Sequence, residues 1–179
     1  MHACNFVAVL QVCKLLLSLN PDADPMGALL LIDYYALRAG EHQYLRRMFG
    51  EWSMARQLDW LPNFAFSAAL AEFSCALDAT DGKMTAATDM EAADGLIRQA
   101  LLRFPGVLPL LADRCHASFD PIVITNDLFQ FPATPNRSEQ CVRHLSVLYV
   151  ERAHTLWKPP MVLEWVQVRC ATKAALSRL

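Results

Sequence analysis

KLLLSLNPDADPMGALLLIDYYALRAGEHQYL, residues 14–45, decides how the chain is read. It closes one apolar helical pattern, turns through Pro21 and Pro25, opens a second pattern and turns again at Arg38-Ala39-Gly40. Upstream, Phe6, Val9, Leu10, Cys13, Leu16 and Leu17 recur at helical spacing, so the first helix is expected from Phe6 to Leu19. Asn20-Pro21 ends it. Asp24 is a suitable N-cap and Pro25 a suitable first-turn residue for the next helix. That helix carries Leu29, Ile32, Ala36 and Leu37 on one stripe, and Gly40 stops it. A third helix follows with Tyr44, Leu45, Met48, Phe49 and Trp52.

The same grammar continues outward. Pro62 opens a unit with a helix from Phe64 to Leu77, a loop from Asp78 to Lys83 and a helix from Thr88 to Arg103. Pro105-Gly106 breaks it, and a short helix from Leu108 to Cys115 follows. Pro21 to Pro62 spans 41 residues and Pro62 to Pro105 spans 43, a helical-repeat signature. The expectation is an all-α, tetratricopeptide-like solenoid of helical hairpins with degenerate repeats over residues 1–116. Leu29, Ile32, Ala36, Gly40, Leu45 and Phe49 fall on that template's apolar or small positions, and Pro21 falls on its terminal proline. Asp33 stands where the template wants a small residue. The first repeat is expected to be truncated, because the helix ending at Leu19 lacks a sequence partner and presents an apolar end where solenoids carry a polar cap. A fragment or truncated product that depends on a partner is therefore expected.

Residues 117–137 read as a loop with Pro121, Pro132 and Pro135, and Ile122 to Thr125 as a short strand within it. Residues 138–179 read as a C-terminal helical hairpin packed on the same solenoid. Ser138 is taken as its N-cap with Glu139 in the first turn, and Val142, Leu145, Leu148 and Tyr149 as its buried side. Pro159-Pro160 separates it from a last helix, Met161 to Leu179.

Hydrophobic residues make up 54% of the 179 and charged residues 19%, below the usual quarter. Such an apolar chain is expected to present part of its surface to a partner. The net charge is -2 and the basic residues are scattered, so no stripe supports direct nucleic-acid binding. No run reaches the roughly 18 apolar residues of a membrane span. The N-terminal segment lacks a positive n-region and Lys14 interrupts it, against a signal peptide. Cys4, Cys13, Cys75, Cys115, Cys141 and Cys170 show no pairing rhythm and fit reduced, intracellular thiols, with Cys141 placed on an apolar helical face.

No phosphate-binding glycine loop, GxSxG or HExxH is present, and no enzymatic activity or cofactor is expected. Asp22 and Asp24 read as turn chemistry in preference to a metal site. Cys115, His116, Cys141 and His144 supply four zinc ligands on paper, but their spacing matches no strong zinc pattern. Tyr34, Tyr35, Tyr44, Trp52 and Trp60 cluster in one hairpin and its exit, mostly as packing. Tyr35, Arg38, Arg46, Arg47 and Trp52 are the candidates for a binding face.

Six strings together carry a resemblance. They are CKLLLSLNPDADP (13–25), ALLLIDYYALRA (28–39), HQYLRRMFGEW (42–52), LPNFAFSAALA (61–71), LIRQALLRFPGVLPLL (96–111) and LYVERAHTLWKPP (148–160). In this order, from Phe6 to Trp165, the chain resembles the transcription factor 25 family, whose fungal member is a ribosome quality control complex subunit. The resemblance implies a non-enzymatic scaffold working with the large ribosomal subunit that carries a stalled nascent chain. It implies the Listerin E3 ligase as neighbour and ubiquitin among the partners, with degradation by the proteasome. It implies a cytoplasmic protein. The family's older name implies the alternative, a nuclear transcriptional repressor.

Overall fold

The computed structural model describes the backbone of residues 3–78, 85–120 and 125–176, and the side chains of these except 3, 4, 85–89, 128 and 171–176. It is all-α, with no strand among the described residues. The described residues form eight α-helices, in order: α1 (Ala3–Leu19), α2 (Ile32–Arg38), α3 (His42–Arg56), α4 (Pro62–Asp78), α5 (Thr85–Arg103), α6 (Val107–Cys115), α7 (Arg137–Trp157) and α8 (Pro160–Leu176). Short 3-10 turns occupy Ala28–Leu30, Leu58–Trp60 and Asp127–Phe129.

The helix ends follow local chemistry. Asn20-Pro21 ends α1, Gly40 at φ +74° ends the α2 turn, and Pro62 and Pro160 occupy first helical positions. Two caps differ from expectation. Asp24 sits at φ +37°, outside any helix, with Pro25 in a turn. Its carboxylate instead accepts the Ala28 and Leu29 amides at 2.8 and 2.9 Å, organising a 3-10 turn, and α2 starts only at Ile32. Asn136, not Ser138, caps α7. Its Oδ1 accepts the Glu139 amide while Glu139 accepts the Asn136 amide, a reciprocal box that fixes the start two residues earlier. The expected loop at 78–83 lies outside the described residues beyond Asp78. So does the expected strand, except Thr125, which lies in a turn.

α4 is the hub. Its residues from Pro62 to Ala76 are buried nearly all round, and it packs against α2, α3, α5 and α7. Alanines at 65, 68, 69, 71 and 76 let neighbouring helices approach, while Phe64, Phe66 and Phe73 fill the gaps. Each buried phenylalanine contributes about 1.5–3 kcal/mol. Phe66 meets Tyr149 and Trp157 of α7 at 6.0 Å between centroids, and Phe73 stacks on Trp165 of α8 at 4.3 Å. Trp165 Nε1 then donates to Asp94 of α5 at 2.8 Å, and Arg169 Nε to the same carboxylate at 2.7 Å. The hairpins thus stack along the chain, and α7 returns to close on α2, α4 and α6.

The buried side of α7 is Ser146, Tyr149, Val150, Ala153 and Trp157. This corrects the expected stripe. Val142 and Leu145 are half-buried, and Leu148 is exposed, because α6 and α4 cover the helix from the other flank. Cys141 is exposed too, on the first turns of α7. Where α6 begins, the Phe131 ring lies directly on Gly106, and a Cβ there would stand 2.6 Å from the ring. Replacing Gly106 by alanine should displace Phe131 and lower the unfolding free energy by about 1–2 kcal/mol. A urea titration followed by circular dichroism measures the change.

Candidate functional site

The one anomaly of the repeat pattern, Asp33, marks the junction of the molecule. It lies in the first turn of α2 with 0% exposure. An ionised carboxylate there needs several donors. Asn63 Nδ2, in the first turn of α4, donates to Oδ1 at 2.9 Å and also to the Leu29 carbonyl at 3.2 Å. Ser67 Oγ, one helical turn along α4, donates to Oδ2 at 2.8 Å. Arg152 of α7 places Nη2 3.5 Å from Oδ1, donates Nη1 to the Leu30 carbonyl and lies over the Tyr34 ring. Tyr149, one turn before Arg152, accepts from Trp157 Nε1 at 2.9 Å.

Burial raises the Asp33 pKa, against the opposing pull of Arg152, Asn63 and Ser67. Burial likewise pushes the Tyr149 hydroxyl well above its ordinary range. Three of the six strings, ALLLIDYYALRA, LPNFAFSAALA and LYVERAHTLWKPP, supply this network.

Over the network lies an open groove of about 510 Å³ between the Ala28–Leu30 turn and α7. Asn63 and Arg152 form its polar floor, and Leu30, Leu31, Leu145 and Leu148 its apolar rim. Leu148 is 64% exposed. An apolar rim over a hydrogen-bonded polar floor, in which only the buried Arg152 Nε has no partner among the described residues, is suited to holding an apolar anchor side chain of another protein. A second recess of about 290 Å³ lies between Trp60, the Phe104–Gly106 corner and Phe131.

The residues expected to bind are spread over two surfaces. Tyr35 packs on Tyr34 and Phe6, and Arg38 lies 4.5 Å over the Phe6 ring. Arg46 pairs with the nearly buried Glu72 at 3.0 Å. Arg47 is exposed, 4.0 Å from Glu51, and Trp52 lies under the Arg56 guanidinium. None of the five lines the groove. The exposure of Leu30, Leu31 and Leu148 carries no sequence signal, because a leucine at helical spacing reads as core. Asp22 is exposed and pairs with Arg56 at 3.2 Å. Cys115 is half-buried with its thiol pKa raised by burial, whereas His116, Cys141 and His144 are exposed. Among the described residues no three His, Cys, Asp or Glu side chains group as metal ligands.

A family model described as transcriptional repressor TCF25 matches residues 2–178. The chain is similar to the ribosome quality control complex subunit TCF25 of Mus musculus, at 43% identity over 160 residues, covering 88% of this chain and 23% of that protein. Its likeness to the human protein of the same name is 41% over 158 residues, with the same two shares. The Dictyostelium discoideum protein of that name is 31% identical over 186 residues, covering 93% of this chain and 24% of that protein. The chain thus spans less than a quarter of the length of these curated relatives. No solved structure matches it.

Removing the junction carboxylate takes the shared acceptor away from Asn63 and Ser67 of α4 and Arg152 of α7. Asp33→Ala should destabilise the fold by about 3–5 kcal/mol, measured by urea unfolding. The pH dependence has a definite sign. The Asp33 pKa is raised on folding, so its contribution is greatest below the ordinary aspartate value of about 3.9 and declines as pH rises through the folded value. Across pH 4–7, wild-type stability relative to Asp33→Asn should therefore fall as pH rises.

Proposed function

The chain belongs to the transcription factor 25 (TCF25) family, and we propose that it is a non-enzymatic scaffold of the ribosome quality control complex. In this reading it binds the large ribosomal subunit that carries a stalled nascent chain. It works beside the Listerin ligase in the cytoplasm, assisting ubiquitylation of the nascent chain and its delivery to the proteasome. The observation that carries the reading is the match over 88% of the chain to relatives named as subunits of that complex. The leucine-rimmed groove over Asp33 is its candidate partner surface, since it combines exposed apolar side chains with a rigid, hydrogen-bonded floor.

The family description as a transcriptional repressor favours a second reading, a nuclear protein-interaction module. Cell fractionation separates the two. The tagged protein, expressed in cells with stalled translation, is expected to co-sediment with large ribosomal subunits on a sucrose gradient. Migration away from ribosomes together with nuclear enrichment would favour the repressor.

Substitution of the groove rim tests the surface. Leu31→Glu combined with Leu148→Glu should release the protein from the large-subunit fractions. Each change should alter stability by less than about 0.5 kcal/mol, since neither side chain is buried. Retained co-sedimentation of a folded double variant would exclude the groove as the contact.

A further inference from the structure

Between the Asp127–Phe129 turn and α7 the chain runs Phe131-Pro132-Ala133-Thr134-Pro135-Asn136-Arg137. Of the 10 prolines in the sequence, Pro135 alone follows a hydroxyl residue. Arg137 stands two residues beyond it. Thr134 is exposed, in a bend outside any helix. Among the described residues no hydrogen bond holds its side chain or its amide. Pro135 fixes its own φ and disfavours the helical region for Thr134. Asn136 continues extended, at φ -70° and ψ 175°, and α7 begins only at Arg137. Upstream the chain is pinned by the fully buried Phe129 and by Phe131 on Gly106. Downstream it is held by the Asn136–Glu139 box and by Gln140 Nε2, which donates to the Pro135 carbonyl at 3.3 Å. The hydroxyl is presented between these two anchors on an uncovered segment.

We infer that Thr134 is a phosphorylation site for a protein kinase that reads proline after the hydroxyl and a cation three residues on. Each residue answers a physical demand of such an enzyme. Proline has no N–H, so a kinase surface that offers no acceptor at this position takes proline and penalises any residue whose amide would be stranded there. The Arg137 guanidinium is exposed and pairs with no carboxylate among the described residues, so it is available to an anionic group on the kinase. The acceptor, the proline and the extended Asn136 all precede α7, and Arg137 is its first residue, so the segment is read without unwinding the helix. Ser138 is exposed too, but it lies inside the first turn of α7 and precedes Glu139. In the transfer, Thr134 Oγ1 bonds to the γ-phosphorus of MgATP, and the bond to the β,γ-bridging oxygen breaks to release ADP. The hydroxyl proton passes to the kinase's catalytic carboxylate. The product carries a charge of about -1.5 to -2 at pH 7. The fold accommodates it, because it is solvated, precedes the positive end of α7 and has Arg137 close in sequence, while the Glu139 carboxylate is engaged with the Asn136 amide.

Incubation of the folded 179-residue chain with a cyclin-dependent kinase and MgATP tests this. Incorporation of a single phosphate, placed on Thr134 by tandem mass spectrometry, is expected. Thr134→Val should abolish it, and Ser138→Ala should leave it unchanged. Pro135→Ala and Arg137→Gln should each lower kcat/KM more than about tenfold. Unchanged circular dichroism identifies the variants that keep their fold. A synthetic peptide of residues 129–141 separates the local motif from its presentation by the fold, and both peptide and folded chain should be modified. No incorporation into the chain overturns the inference, whether or not the peptide is modified. So does incorporation that survives Thr134→Val, or a rate indifferent to both Pro135→Ala and Arg137→Gln.

Discussion

A carboxylate with no access to water sets the terms for this molecule. Asp33 is fully buried, and ionised groups in such a place cost several kcal/mol unless donors surround them. Its donors come from α4 and α7, and the Arg152 guanidinium also clasps the Leu30 carbonyl. A buried ion pair of this kind adds little net stability over a well-packed apolar cluster. What it adds is uniqueness. Asn63 and Ser67 meet both carboxylate oxygens in one register of α4 against α2, and Arg152 reaches Asp33 in one placement of α7. The groove above inherits that rigidity, because its floor is the network itself.

Around the junction, apolar packing does the bulk of the work. α4 combines alanines that permit close approach with phenylalanines that reach outward, so one helix touches α2, α3, α5, α7 and α8. The aromatic contacts to Tyr149, Trp157 and Trp165 recruit α7 and α8 to this hub. Polar tips then finish the joints: Trp157 donates to Tyr149, and Trp165 and Arg169 share Asp94. Most of the large buried side chains belong to a single connected core, as a one-domain chain of this length requires.

The all-α class and most helix boundaries were legible because proline, glycine and apolar period act locally. Pro21, Gly40, Pro62, Pro105 and Pro160 each terminate or open a helix near the place their chemistry dictates. The cap of α7 was legible too, but only when Asn136 and Glu139 are read as a pair three residues apart; Ser138 alone misleads. Asp33 announced itself as an irregularity in the repeat. Its partners did not, since Asn63, Ser67 and Arg152 are brought to it by tertiary packing across 30 to 119 residues. The groove was the least visible feature. Leu148 has helical spacing like any core leucine, and its exposure depends on which flank of α7 the rest of the chain covers.

The 119 residues between Asp33 and Arg152 also impose a timetable on synthesis. At about 5–20 residues per second, Arg152 is made roughly 6–24 s after Asp33. Once α4 is made, Asp33 has Asn63 and Ser67 within reach but not yet its cation, and Phe66 lacks the aromatic cover of Tyr149 and Trp157. The nascent hairpins therefore keep a wet, open side until α7 emerges. Closing so long a loop adds only a slowly growing entropic cost, so the delay is set by translation more than by thermodynamics. A protein of this design holds the junction around Asp33 unfinished on the ribosome until α7 is made.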